Sequence, residues 1–117
     1  HCFMTTIFHN PRCSKSRAAL ERLRQAGIEP EVIEYLKQPY TKPQLTELIS
    51  RAGLSVRDII RTSEAKYKEL GLNRDDCSDD ELLNAMVEHP VLVNRPIVVT
   101  DKGVRLGRPV ERIDEIL

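Results

Sequence analysis

Strand-forming sequence lies near the two ends of this chain, and helix-forming sequence fills its middle. Met4-Thr5-Thr6-Ile7-Phe8 is short, β-branched and apolar, the composition of a buried strand. Glu31-Val32-Ile33-Glu34-Tyr35 reads as a second strand, and the next such run comes only at Ile97-Val98-Val99-Thr100. Any sheet made by this chain must therefore join its first strands to its last around a helical insertion.

The segments between the strands fix the order of elements. His9-Asn10-Pro11-Arg12 breaks the first strand, and a helix from about Ser14 to Ala26 follows, with Ala19, Leu20, Leu23 and Ala26 on one face and Gly27 as its stop. Strand, helix and strand within this length make a right-handed βαβ unit. Thr41 and Gln44 then stand at capping-box spacing before Leu45, Leu48 and Ile49, and Gly53 closes that helix. Short helices are expected after Ser55 and near Glu64 to Leu70. Ser78 with Glu81 opens another that His89-Pro90 ends. After the third strand, Asp101-Lys102-Gly103 is a turn and Val104-Arg105-Leu106 a hairpin partner. Pro109 suits the first turn of a closing helix carrying Val110, Ile113, Ile116 and Leu117. The order βαβ, helical insert, ββα is that of an α/β, thioredoxin-like fold with a four-stranded mixed sheet. The expected organisation is a single domain over residues 4–117, with the insert at about 41–90.

Composition narrows the setting. The chain of 117 residues carries 18 basic and 18 acidic side chains, a balance that points to neither nucleic acid nor membrane as partner. No apolar run reaches the roughly 20 residues needed to span a bilayer, and no secretory segment follows Met4. His1-Cys2-Phe3 reads as a cloning remnant. That leaves Cys13 and Cys77, far apart and without a CxxC pair, as expected of a protein in the reducing cytoplasm.

Cys13 carries the chemistry. It falls between a strand end and a helix start, where the free backbone N–H groups of about Ser14 to Ser16 and the helix dipole favour a negative charge. Arg12, Lys15 and Arg17 surround it in sequence. Such surroundings lower a thiol pKa from about 8.5 toward 7 or below, which raises the thiolate fraction at neutral pH to a half or more. The same helix start suits phosphate-like oxyanions, so the nucleophile can meet the central atom of a bound oxyanion. His9 and Cys13 alone do not supply a metal site's ligand count, and no metal is expected.

The run His9-Asn10-Pro11-Arg12-Cys13-Ser14-Lys15-Ser16-Arg17 resembles the active-site loop of the glutaredoxin-linked arsenate reductase family, His-Asn-Pro-x-Cys-x-x-Ser-Arg. The likeness continues through 54–61, His89-Pro90-Val91-Leu92-Val93-Asn94-Arg95-Pro96-Ile97 and Arg105-Leu106-Gly107-Arg108-Pro109. It implies that Cys13 is a nucleophile toward arsenate and that Arg61, Arg95 and Arg108 bind the oxyanion by forked, charge-assisted hydrogen bonds. It implies that His9 supports the thiolate as a cation or a hydrogen-bond donor; holding the loop's shape is the alternative. Asn10 and Arg17 are matched supporting positions. Ser16 matches a serine that can hydrogen-bond the thiolate, or else simply packs at the helix start. Pro96 stands where thioredoxin-like folds keep a cis proline beside the thiol, so Arg95-Pro96 is expected to be cis. With Ser16 where thioredoxins keep a second cysteine, the electrons must come from external thiols.

The resemblance thus implies a monomeric cytoplasmic reductase of arsenate to arsenite. It would have no bound cofactor, with glutathione as co-substrate and glutaredoxin as partner. Two alternatives share the fold. One is a monothiol oxidoreductase acting on glutathione mixed disulfides or another oxyanion. The other is an Spx-like regulator that binds RNA polymerase and senses redox state, although such regulators carry a CxxC pair.

Overall fold

The computed structural model describes residues 5–74 and 76–117, so the expected remnant at 1–3, and Met4 of the expected first strand, lie outside the described residues. Backbone contacts separate the chain into two compact units, His1–Gln38 with Arg95–Leu117, and Pro39–Asn94.

The first unit holds strands β1 (Thr6–His9), β2 (Glu31–Glu34), β3 (Ile97–Thr100) and β4 (Gly103–Leu106), helix α1 (Ser14–Gln25) and a closing 3₁₀ helix (Val110–Ile116). The sheet order is β2-β1-β3-β4. β1 runs parallel to β2, with Ile7 opposite Val32, and antiparallel to β3, with Ile7 opposite Val98. β3 and β4 form the expected hairpin, with Val99 opposite Val104. The sheet is therefore mixed, as the element order requires. Ile7 and Val98 point to one face and meet Ala19 and Leu23 of α1 and Ile113 and Ile116 of the closing helix, all six essentially fully buried. This small core fixes the C-terminal end of β1 against the start of α1, where Cys13 sits.

Several details differ from expectation: β1 begins at Thr6, α1 ends at Gln25, and Gly103 belongs to β4. His9 belongs to β1, paired in register with Glu34, and does not break it. The ladder stops one residue later because the Asn10 N–H bonds to Ser16 Oγ. β2 ends at Glu34 because its carbonyl accepts the N–H groups of Lys37 and Gln38, both at 2.9 Å, and so turns the chain. The closing helix is 3₁₀, not α. Its apolar residues Val110, Ile113 and Ile116 recur every third position, the period that puts them on one face at three residues per turn.

The second unit is helical: α2 (Lys42–Arg51), α3 (Val56–Ile59), α4 (Ala65–Glu69), α5 (Asp79–Glu88) and a 3₁₀ turn (Pro90–Leu92). Leu45, Ile59, Leu82, Met86, Leu92 and Val93 are almost wholly buried. The Thr41–Gln44 capping box forms in both directions, at 3.2 and 3.4 Å. At α5 only half of the expected box forms. Ser78 Oγ accepts the Glu81 N–H at 3.2 Å, while the Glu81 carboxylate takes Arg74 at 2.6 Å. A bridge between Ile60 and Val93, flanked by Arg61 N–H to the Leu92 carbonyl and Asn94 N–H to the Ile59 carbonyl (both 2.7 Å), clips the two sides of this unit together. Among the described residues no helix is long and apolar enough to cross a membrane.

Candidate active site

The loop after β1 is held by its own polar groups. Asn10 directs three of them. Its carbonyl accepts the Cys13 N–H at 3.0 Å, its Oδ1 accepts the Arg12 N–H at 3.0 Å, and its N–H donates to Ser16 Oγ at 3.0 Å. Arg17 is exposed and donates to the Pro11 carbonyl at 3.2 Å, so it braces the loop from outside. Cys13 follows as the N-cap of α1, in extended conformation, only 8 % exposed and in the free thiol form.

Burial is the largest influence on the Cys13 thiol and opposes ionisation. The Ser16 backbone N–H, the Arg95 side chain by hydrogen bond and by charge, and the Lys15 backbone N–H together outweigh it. The thiol pKa therefore lies below its ordinary value, through donors supplied by the helix start and by the residue before β3. Arg12 and Arg17, neighbours in sequence, are not among these causes.

His9 and Ser16 form a buried pair, 6 % and 0 % exposed, with Nδ1 and Oγ 2.6 Å apart. Desolvation dominates the His9 environment, Glu34 opposes it, and Arg17 and Arg24 add to it, so the imidazole pKa falls below the usual value and the ring is neutral at pH 7. Of the two roles considered for His9, this environment favours hydrogen bonding over a cationic one. It also relocates the role of Ser16. The hydroxyl serves His9 and Asn10, and the backbone N–H serves the thiolate.

The opposite wall comes from the far end of the sequence. Arg95-Pro96 is cis, as expected, and Arg108-Pro109 is cis as well, which nothing in the sequence reading had singled out. Arg108 Nε donates to the Arg95 carbonyl at 2.8 Å, and its Nη2 lies 4.0 Å from Cys13 Sγ. Gly107 makes this approach possible. Its N–H donates to the Pro96 carbonyl at 2.8 Å. A Cβ there would stand 3.0 Å from Pro96 Cγ and 3.1 Å from Ile113 Cδ1. The only hint of that role in the sequence is a glycine placed directly before Arg108.

The structure thus brings together Cys13, His9, Asn10, Ser16, Arg17, Arg95, Pro96 and Arg108 in the first unit. Arg61 belongs to the helical unit, where its guanidinium pairs with Glu64 and its N–H donates to the Leu92 carbonyl. The pairing with Glu64 was missed by sequence reasoning, although the i,i+3 spacing of opposite charges signals it. Among the described residues no group of three or more His, Cys, Asp or Glu is placed to hold a metal ion.

A mixed four-stranded sheet with one low-pKa cysteine at the α1 N-terminus, approached by Arg95 and Arg108, defines a thioredoxin-like protein of the single-thiol kind. Its relatives narrow this class. Residues 8–116 match the model of the ArsC family. The chain is 50% identical to the arsenate reductase of Escherichia coli strain K12 over 112 residues, 96% of this chain and 79% of that protein. It is 52% identical to that of Rhizobium meliloti strain 1021, over 96% of this chain and 80% of that one. The solved structure of an arsenate reductase from Vibrio cholerae superposes with a TM-score of 0.95 at 46% identity, covering 100% of both chains. The chain belongs to the ArsC family.

Proposed function

We propose that this protein is a thiol-dependent arsenate reductase that uses glutathione and glutaredoxin. The observation that carries the reading is the Cys13 thiol set among the Ser16 and Lys15 N–H groups, Arg95 and Arg108. Arsenate is a dianion near neutral pH and would repel a bare thiolate; fixed N–H donors and guanidinium groups offset that repulsion and stabilise the charge that develops on the arsenate oxygens. Cys13 Sγ forms the S–As bond as one arsenate oxygen leaves, protonated, as water. Glutathione displaces a second oxygen in the same way. Glutaredoxin thiolate then attacks the glutathione sulfur. As their disulfide forms, the glutathione S–As bond breaks with its electron pair left on arsenic, giving As(III). Hydrolysis of the remaining Cys13 S–As bond releases arsenite and the thiol.

In this reading Arg95 and Arg108 hold the oxyanion, His9 acts through Ser16 on the loop, and Asn10, Arg17 and Pro96 shape the cradle. Loss of Arg95 or Arg108 should weaken arsenate binding by roughly 1.5–3 kcal/mol, the scale of a charged hydrogen bond. The deciding experiment is arsenate reduction coupled to glutathione and glutaredoxin. Wild-type protein turns over and Cys13→Ser does not; arsenite production by Cys13→Ser at the wild-type rate would overturn the assignment.

A further inference from the structure

Beside the Cys13 loop, on the side of β2, lies a cavity of about 280 Å³ within the first unit. Its lining includes His9, Pro11 and Arg12 from the loop and Glu34, Leu36 and Lys37 from the end of β2. The volume is close to the lower end of small-molecule sites, about 300–1,000 Å³, which suits a ligand of a few residues and not a folded partner. Three properties of the wall restrict the ligand further. Arg12 and Lys37 bring two positive charges and Glu34 one negative. Glu34 and Lys37 face each other at 3.6 Å, with side chains 40% and 78% exposed, so both reach solvent and can exchange partners. Leu36 is 46% exposed and, with Pro11, gives the wall an apolar surface between its charged groups. Finally, Cys13 does not itself line the cavity, but the loop that forms one wall ends at Arg12, the residue directly before it.

A ligand complementary to this wall carries two carboxylates, one ammonium group and a short apolar or thiol-bearing middle. We propose that the cavity is the glutathione subsite, with the two tripeptide carboxylates on Arg12 and Lys37, the γ-glutamyl ammonium on Glu34, and the cysteinyl portion over Leu36 toward Cys13. The inference rests on the arsenate reductase reading and adds to it the place from which the second thiol arrives. It also gives Arg12 a task. This arginine, though adjacent to Cys13, is not among the groups that shift the thiol.

Two measurements test it. The first uses S-methylglutathione, which binds but cannot react, with ¹⁵N-labelled wild-type protein. Amide shifts should concentrate at Asn10, Arg12 and residues 34–37 and titrate to saturation. Shifts confined to other surfaces, or none at millimolar probe, overturn the subsite whether or not the enzyme reduces arsenate. The second compares wild type with Lys37→Glu and Leu36→Asp, both exposed positions, in coupled arsenate reduction. The KM for glutathione should rise at least fivefold while the KM for arsenate stays within twofold. An unchanged glutathione KM in active variants overturns the subsite and leaves the reductase reading intact. A wild-type protein that binds S-methylglutathione in the cavity but does not reduce arsenate overturns the reductase reading instead.

Discussion

The lowered pKa of Cys13 comes from backbone N–H groups and from distant Arg95 more than from the cations beside it in sequence. Alkylation by iodoacetamide, followed against pH in a Cys2→Ala/Cys77→Ala background, should show a midpoint below the ordinary thiol value of about 8.5. Arg95→Ala should move that midpoint upward and slow alkylation at pH 7, whereas Arg12→Ala should leave it in place. His9 makes a second expectation. Its folded pKa is lowered, so between the folded value and the unfolded value of about 6.5 the unfolded chain binds the extra proton. Stability from this group is complete above that unfolded value and is lost as pH falls through the folded one. Urea unfolding of the wild type should therefore weaken on acidification below pH 6.5, and His9→Gln should remove part of that slope. The residue roles were unevenly legible. The motif marked Cys13, His9 and Ser16, but a hydroxyl shared between His9 and the Asn10 N–H, and a histidine kept neutral by burial, depend on desolvation that no local pattern encodes.

At the scale of elements, sequence pattern and capping chemistry located every strand and every α-helix because each is announced by local signals. Thr41 and Gln44 satisfied both arms of their box, and Thr41→Ala should cost about 1 kcal/mol in denaturant unfolding without altering the Cys13 alkylation profile. Where the expectation slipped, the deciding bonds were tertiary. His9 joined β1 because Glu34 lies opposite, and the Glu81 carboxylate left the α5 cap for Arg74. Gly107 is the clearest case of a position whose meaning appears only in three dimensions. Gly107→Ala should destabilise the protein by about 1–3 kcal/mol, since neither the ring of Pro96 nor the buried Ile113 can yield freely.

For the molecule as a whole, the six-residue core under the sheet is shared between segments from both ends of the sequence. Ile113 is fully buried in it, and Ile113→Ala should cost about 2–5 kcal/mol. Calorimetry should show a fall in melting temperature of the order of 10 °C or more. A fall of only a degree or two would mean that the closing helix contributes little to the packed unit. The charge balance and the element order were readable in advance, because composition and periodicity survive without coordinates. The partners of the thiol were readable only through resemblance, since Arg108 stands 95 residues from Cys13.

That distance has a consequence during synthesis. A chain growing at about 5–20 residues per second exposes Cys13 roughly 5–20 s before Arg108 is made. For most of that interval β1 lacks its partner β3, and the thiol lacks the hydrogen bond and the charge of Arg95. The nascent chain therefore carries its thiol without the share of activation that Arg95 supplies, and the sheet completes that activation only once β3 has been made and paired with β1.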